Sequence, residues 1–256
     1  MVPLSVVIIS GNEERNIARC LDSVIAIADE IVVIDSFSTD RTQEICRSYG
    51  VRIVQNPWPG YIEQKNLALS HARNQWVLSL DADEALSHEL KQSISSVIEN
   101  PEADGYSMNR LTNYCGKWIK HGGWYPDRKV RLFKRHNVRW GGTNPHDRII
   151  LAQGAKVVHL KGDILHYSFY SLSDHIRQIN HFSEVAAQAL YEKGVRSNQL
   201  KLIIKPYVRF IKSYLLQRGF LDGYYGYLIA RNSAFASFAR YAKLRELQRL
   251  NSGGNR

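Results

Sequence analysis

The chain is poor in cysteine and methionine and has no long apolar run. Its three cysteines, Cys20, Cys46 and Cys115, are scattered and odd in number. They form no metal-type pair and no disulfide framework, which points to a reducing compartment. No apolar stretch is long enough to span a bilayer. The opening residues Met1-Val2-Pro3-Leu4-Ser5 lack a basic n-region, so no secretory signal is expected. Acidic residues are scarce in one region: positions 201–256 hold eleven Lys and Arg against only Asp222 and Glu246, a net charge of +9. The whole chain carries +10, so the first 200 residues are nearly neutral. Such asymmetry predicts a basic tail that meets something anionic, a nucleic acid or a membrane surface. With 256 residues there is chain enough for one good core and an appendage.

What is present begins with short apolar, β-branched runs. Leu4–Ile9, Ile31–Ile34, Val51–Val54 and Trp76–Leu80 read as buried strands, because their hydrophobicity is continuous rather than alternating. Helical patterns separate them: one opening at Asn12-Glu13-Glu14, with Ile17, Cys20, Leu21 and Val24 on one face, then Thr42–Tyr49 and Tyr61–Ala72. This alternation predicts an α/β domain with a mostly parallel sheet and right-handed crossovers. After a helix near Ser87–Glu99 the pattern changes. Tyr106–Tyr114, Lys129–Lys134 and Lys156–His159 read as strands without helices between them. The segments around Gly122-Gly123-Trp124 and Trp140-Gly141-Gly142-Thr143-Asn144 read as loops, and long loops inside a domain are usually functional. From Leu172 to about Leu250 the chain reads as helical. The expected division is an α/β domain over 1–170 and a basic helical extension over 171–256.

The most informative segment is Leu80-Asp81-Ala82-Asp83-Glu84. A buried strand runs straight into two carboxylates, at the edge where open α/β sheets bind ligands. Oxygen ligands on alternate residues suit Mg²⁺ or Mn²⁺, which can clamp a diphosphate. The plainer alternative is that these acids cap the following helix.

In order along the chain stand Ser5–Glu14 (SVVIISGNEE), Val33–Thr42 (VIDSFSTDRT), Gln64-Lys65-Asn66, Leu80–Glu84 (LDADE), Trp124-Tyr125-Pro126-Asp127, Val130-Arg131-Leu132-Phe133, Leu165-His166-Tyr167 and Arg218–Gly223 (RGFLDG). Taken together the series resembles the family 2 glycosyltransferases with a GT-A fold, in the group similar to lipopolysaccharide core-biosynthesis glucosyltransferases. The resemblance covers nearly the whole chain. It implies a Rossmann-like sheet with flanking helices and a C-terminal helical extension. It also implies a nucleotide-sugar donor, UDP-glucose being the family-weighted choice, and a Mg²⁺ or Mn²⁺ cofactor. By resemblance Asp83 binds the metal, Asp81 leans toward the ribose, the neighbouring Ala82 belongs to the donor-binding set, and His166 supplies a further metal ligand or else packs under the last helices. Ser10, Asn12, Glu13 and Asp35 line the nucleotide pocket. Relatives often carry two adjacent acids where this chain has Asp35-Ser36. Lys65, where relatives often have Arg, meets a phosphate as a point charge or is a solvated helix lysine. Relatives usually carry His-Glu after a Gly-containing loop; here the dipeptide is His146-Asp147. Asp147 is the expected general base, with His146 as its rival, or else an acid paired with Arg148 or Arg131. Arg128 and Arg131 hold the diphosphate or an anionic acceptor, or lie on the surface.

In the tail, Lys201, Lys205, Arg209 and Lys212 recur at helical spacing among apolar and aromatic residues. Basic amphipathic helices of this kind lie in membrane interfaces; alternatively the apolar stripe packs inward and the charges are solvated. No nucleic-acid-binding module accompanies the charge. The expectation is an inverting, metal-dependent hexosyltransferase. It acts on a lipid-linked saccharide, such as lipopolysaccharide inner core, at the cytoplasmic face of the membrane, attached peripherally through 201–249. Two rivals are a nucleotidyltransferase, which usually shows a basic Gly-rich phosphate loop where Ser10–Arg15 is acidic, and a non-catalytic basic protein that binds membrane or nucleic acid.

Overall fold

The computed structural model of the chain describes residues 2–136, 138–143 and 146–252, without the side chains of Thr143, His146 and Ser252. The contact pattern divides the chain into two compact units. The first runs to Leu111 and resumes over Asp127–Tyr167; the second takes Thr112–Pro126 and the segment from Ser168 onward.

The first unit begins with four parallel strands, β1 (Leu4–Ser10), β2 (Glu30–Asp35), β3 (Arg52–Gln55) and β4 (Trp76–Asp81). Helices α1 (Ile17–Val24), α2 (Thr42–Ser48) and α3 (Tyr61–His71) connect them. The continuous hydrophobicity has its expected cause. Val6, Ile8, Leu78 and Leu80 enter one core with Ile17, Cys20, Leu21 and Val24 of α1, while Val7, Ile9, Val32, Ile34 and Val77 enter a second with Ala68, Leu69 and Ala72 of α3. Both faces of the strands are therefore covered. The helix expected from Asn12 starts instead at Ile17. Asn12 is left-handed (φ 56°), and the N–H groups of Asn12, Glu13 and Glu14 donate to Ser38 Oγ, Thr42 Oγ1 and Asp40 Oδ2. Those long-range bonds take the donors a first helical turn would have left free.

Beyond β4 come β5 (Glu84–Leu86), α4 (His88–Glu99), β6 (Gly105–Tyr114), β7 (Lys117–Ile119), β8 (Asp127–Lys134), β9 (Arg139–Thr143), β10 (His146–Ile150) and β11 (Val157–Phe169). The main sheet has the order β3-β2-β1-β4-β8-β6-β11-β5, with β7 on β6. β8 joins β4 antiparallel, and β6 and β5 continue the antiparallel pairing with β8 and β11. The Gly-rich stretch read as a loop at 140–144 is largely strand: β9 and β10 form a hairpin with Trp140 opposite Ile149 and Gly142 opposite Asp147. Gly142 sits at φ 114°, a conformation that favours glycine and disguises the strand in the sequence. The short β5 also separates Asp81 and Asp83 from α4. The cap of α4 is Ser87, whose side chain accepts from Leu90 N–H at 3.2 Å, so the acids do not cap that helix.

In the second unit α5 (Leu172–Glu192), α6 (Gln199–Ile211), a π-helical turn at Lys212–Leu216, a 3₁₀ turn at Gly219–Asp222 and α7 (Gly223–Ser252) follow one another. The helical tail is thus broken at 193–198, and α6 restarts with Asn198 accepting from Lys201 N–H at 2.9 Å. α7 packs on both α5 and α6. Its core gathers Tyr114, Ile119, Phe169 and Ile229 around the buried His175. The Asn232 amide donates to His175 Nδ1 at 2.9 Å, and the Tyr114 hydroxyl is 2.9 Å from the same nitrogen. Burial pushes the His175 pKa down to about 4, so the folded state holds the ring neutral where the unfolded chain would protonate it. The stability this gives is complete above about pH 6.5 and is lost as pH falls through about 4. Urea unfolding should lose about 2 kcal/mol between about pH 7.5 and pH 5 from this group, and His175→Gln should remove that component. An imidazole that titrates near its ordinary value in the folded protein would refute the assignment.

Candidate active site

The parallel register brings the expected site together. Ser10 pairs with Asp35 across β1 and β2, and Ile9 pairs with Asp81 across β1 and β4. All lie at the C-terminal edge of the strands, where an open sheet leaves its crevice. Ala82 N–H donates to Ile9 carbonyl at 3.1 Å, which fixes the turn carrying Asp83. Asp81 N–H donates to Glu84 Oε2 at 3.0 Å, so Glu84 closes the turn from inside.

Lys65 is a buried cation, 2% exposed, and not a solvated helix lysine. Its Nζ lies 2.9 Å from Asp81 and 2.8 Å from Asp147. Asp147 therefore pairs with Lys65 across the site, and not with Arg148 or Arg131, its alternative partners in the sequence. Arg131, buried on β8, reaches Asp81 at 3.2 Å and Glu84 at 3.0 Å. Arg128 on the same strand is exposed. The Trp140 ring lies 4.6 Å from Lys65 Nζ and 5.3 Å from the Arg131 guanidinium, a spacing at which the ring face attracts a cation. Burial opposes the Asp81 charge, yet Lys65 and Arg131 outweigh it and hold this carboxyl well below the usual range.

The segment Gln64-Lys65-Asn66 positions three things at once. Gln64 donates to Ser36 Oγ at 3.0 Å. Lys65 joins the two acids. Asn66 exchanges two hydrogen bonds with the Trp140 backbone, at 3.0 and 2.9 Å, and so fastens the β9–β10 hairpin to α3. That clamp sets Asp147 beside Lys65.

His166 on β11 faces Asp83, with Nε2 to Oδ2 at 3.1 Å. Burial disfavours the charged imidazole, but Asp83 outweighs it and raises the His166 pKa; Asp83 in turn is held low by His166 against its own burial. His166 Nδ1 is buried without a hydrogen-bond partner. Among the described residues no three His, Cys, Asp or Glu converge as a metal cluster. The protein thus offers a pair, Asp83 and His166. Mg²⁺ is commonly held by one or two carboxylates with the remaining positions filled by substrate phosphates and water, so the pair fits a divalent ion delivered with a diphosphate.

The nucleotide-side residues are placed at the same edge. Asp35 is buried and accepts from Ser38 N–H at 2.9 Å, Ser38 Oγ at 2.5 Å and Gln43 at 2.9 Å, which orders its own loop. Thr39 N–H donates to Asn12 Oδ1 at 2.8 Å, tying that loop to the end of β1. Glu13 accepts from Asn16 at 2.7 Å. Burial, then repulsion from Asp83, pushes the Glu13 carboxyl up to about 7. Ser10 Oγ is buried with no hydrogen-bond partner. The side chain of His146 lies outside the described residues.

Arg110 was not expected here. Arg110 pairs with Asp127 at 2.9 Å and Glu84 at 3.5 Å. Glu84 and Trp140 stand in segments the sequence already marks, Leu80–Glu84 and Trp140–Asn144; Arg110 stands on a β6 segment with no distinguishing pattern.

A family model, "Glycosyl transferase family 2", matches residues 5–159, which is more than half of the chain and holds nearly all of these side chains. The chain belongs to this family. The enzyme is 34% identical over 257 residues to an uncharacterized glycosyltransferase of Rickettsia typhi, covering 96% of this chain and 88% of that one. It is 28% identical over 260 residues to the lipopolysaccharide core biosynthesis glycosyltransferase LpsC of Rhizobium meliloti, covering 99% and 96%. Among solved structures, S. aureus TarS 1–349 spans 97% of this chain and 92% of its own at a TM-score of 0.49 and 16% identity. The transferase has the GT-A-like α/β fold with its C-terminal helices.

Proposed function

We propose that the enzyme moves a hexose, with inversion, from a UDP-sugar to the saccharide of a lipid-linked acceptor, glucose onto lipopolysaccharide inner core being the specific form. The observation that carries the reading is the pairing at the strand edge: Asp83 with His166 on one side, Lys65 joining Asp81 to Asp147 on the other. Asp83 and His166 would hold Mg²⁺ or Mn²⁺, which when bound supplies Lewis-acid stabilisation of the departing diphosphate. Lys65 and Arg131 add positive charge beside the same leaving group. Ser10, Asn12, Glu13, Asp35 and Ala82 border the nucleoside. Asp147, with Oδ2 held by Lys65, takes the proton of the acceptor hydroxyl as that oxygen attacks the anomeric carbon. The transition state has the oxocarbenium character of glycosyl chemistry.

The acceptor class is supported by the near full-length similarity to LpsC, whose name places that protein in lipopolysaccharide core biosynthesis. The basic segment after residue 200 supports peripheral attachment to an anionic cytoplasmic leaflet, and no helix among the described residues is long and apolar enough to cross a membrane. A panel of nucleotide-sugars, scored for nucleotide release with and without Mn²⁺ and with and without lipid extract, tests the reading. UDP release stimulated by metal and by lipid-borne acceptor is expected. Release from no nucleotide-sugar under any of these conditions would leave the non-catalytic reading in its place.

A further inference from the structure

α6 shows three faces, and the outermost is apolar. At about 100° per residue, Leu200, Ile203, Ile204, Tyr207, Val208 and Ile211 fall on one continuous stripe, and each is 45–69% exposed. The edge of the helix next to Ile203 turns toward α7, with Phe210, and Tyr214 in the turn that follows, meeting the Tyr227 ring at 6.1 and 5.9 Å. Lys201, Lys205, Arg209 and Lys212 occupy the flank next to the stripe. None of the α6 residues is buried. The apolar surface continues through the turns that follow, where Leu216 is 76% and Leu221 56% exposed. Of the apolar residues along α6 and the turn after it, Phe210 and Tyr214 pack inward on Tyr227, while the ridge from Leu200 to Ile211 stays exposed.

An exposed apolar patch of this extent marks an interaction surface. We propose that the α6 ridge, from Leu200 to Ile211 and on through Leu216, is the element that enters an anionic bilayer, lying in its plane with the lysines and arginine at headgroup level. The inference deepens the peripheral attachment proposed above by naming what inserts. Charge selects the occupant. Bases flank the ridge in a segment of net charge +9, which complements anionic lipid. A symmetric pairing with a second copy would set that charge against itself. Tyr207 in the stripe and Tyr224, 69% exposed, have the amphipathic rings that settle at membrane interfaces. Each base near an anionic surface strengthens binding about fivefold, and the apolar ridge adds a component that salt does not screen.

The test uses the full chain and vesicles of phosphatidylcholine with and without phosphatidylglycerol, read by co-sedimentation across salt concentration. Binding to the anionic vesicles is expected, with a residual fraction that high salt does not release. Lys205→Gln with Arg209→Gln and Lys212→Gln should weaken it about 10²-fold at low salt. Leu200→Gln with Ile203→Gln, Tyr207→Gln and Ile211→Gln should abolish the salt-resistant fraction. These positions are exposed, so an unchanged unfolding transition and unchanged metal-stimulated UDP release would show the variant intact. In a separate Tyr207→Trp variant, indole emission should shift to the blue on anionic vesicles only. Anionic binding that survives the ridge substitutions would overturn the ridge assignment alone. Absence of vesicle binding by the parent would overturn peripheral attachment as well. A parent that is dimeric in solution, and monomeric with the ridge substituted, would give the surface to a second copy.

Discussion

Asp83→Ala should abolish transfer, with turnover falling at least about 10³-fold, while the protein stays folded. The size follows from where Asp83 stands. It is the one carboxylate of the Asp81-Ala82-Asp83 turn not already taken by a Lys or Arg, since Lys65 and Arg131 occupy Asp81. Its only ion-pair partner among the described residues is His166, at 3.1 Å. Removing a group aimed at charge that develops as the bond breaks costs on the order of 10²–10³ in rate, and loss of the ion's only protein carboxylate adds to that. Stability should change little, because His166 can shed its proton instead of remaining a buried unpaired cation. Calorimetry supplies a readout apart from activity: Mn²⁺ should tighten UDP binding to the parent and leave UDP binding to the variant unchanged. Full activity in the variant, or in the parent under excess chelator, would remove the metal role from this pair.

The fold was legible wherever one local rule acted alone. β1, β2 and β4 are continuous apolar runs because both of their faces are covered, and the buried face of α1 obeys the 3.6-residue period. Ser10, Asp35, Asp81 and Asp83 could be placed together because parallel strands end at one edge. What sequence reasoning did not reach depends on pairing between distant residues. The β9–β10 hairpin is rich in glycine and becomes a strand only through its partner and the Asn66 clamp on Trp140. The start of α1 moved because side chains 26–29 residues away claim its first N–H groups. Lys65 reads as a phosphate-binding or a solvated lysine, and its burial between Asp81 and Asp147 shows only once both acids are seen on either side of it. α6 carries an amphipathic pattern, but the pattern does not say how much of the apolar surface another helix will cover, and α7 takes only the edge carrying Phe210.

Asp147→Asn should lower the rate of transfer by about 10²–10⁴ and leave UDP-sugar affinity nearly intact. The amide keeps the shape of the carboxylate and can still accept from Lys65 Nζ, which lies 2.8 Å from Asp147 in the parent; what it loses is the capacity to take a proton. The acid that ends the Leu80–Glu84 segment cannot stand in for Asp147. Glu84 is fully enclosed and held by Arg131, Arg110 and Asp81 N–H, so it cannot meet an acceptor hydroxyl. A companion substitution separates catalysis from architecture. Lys65→Met leaves two half-buried carboxylates without the cation they share, and breaking such a pairing from one side costs about 3–5 kcal/mol. Lys65→Met should therefore lower the melting temperature markedly and weaken donor binding, whereas Asp147→Asn should do neither. The two variants thus predict opposite signatures, kcat loss without stability loss for Asp147 and the reverse emphasis for Lys65. If Asp147→Asn drops turnover only a few-fold yet destabilises as Lys65→Met does, Asp147 is the hairpin's anchor. The proton would then pass to His146, the residue beside it on β10.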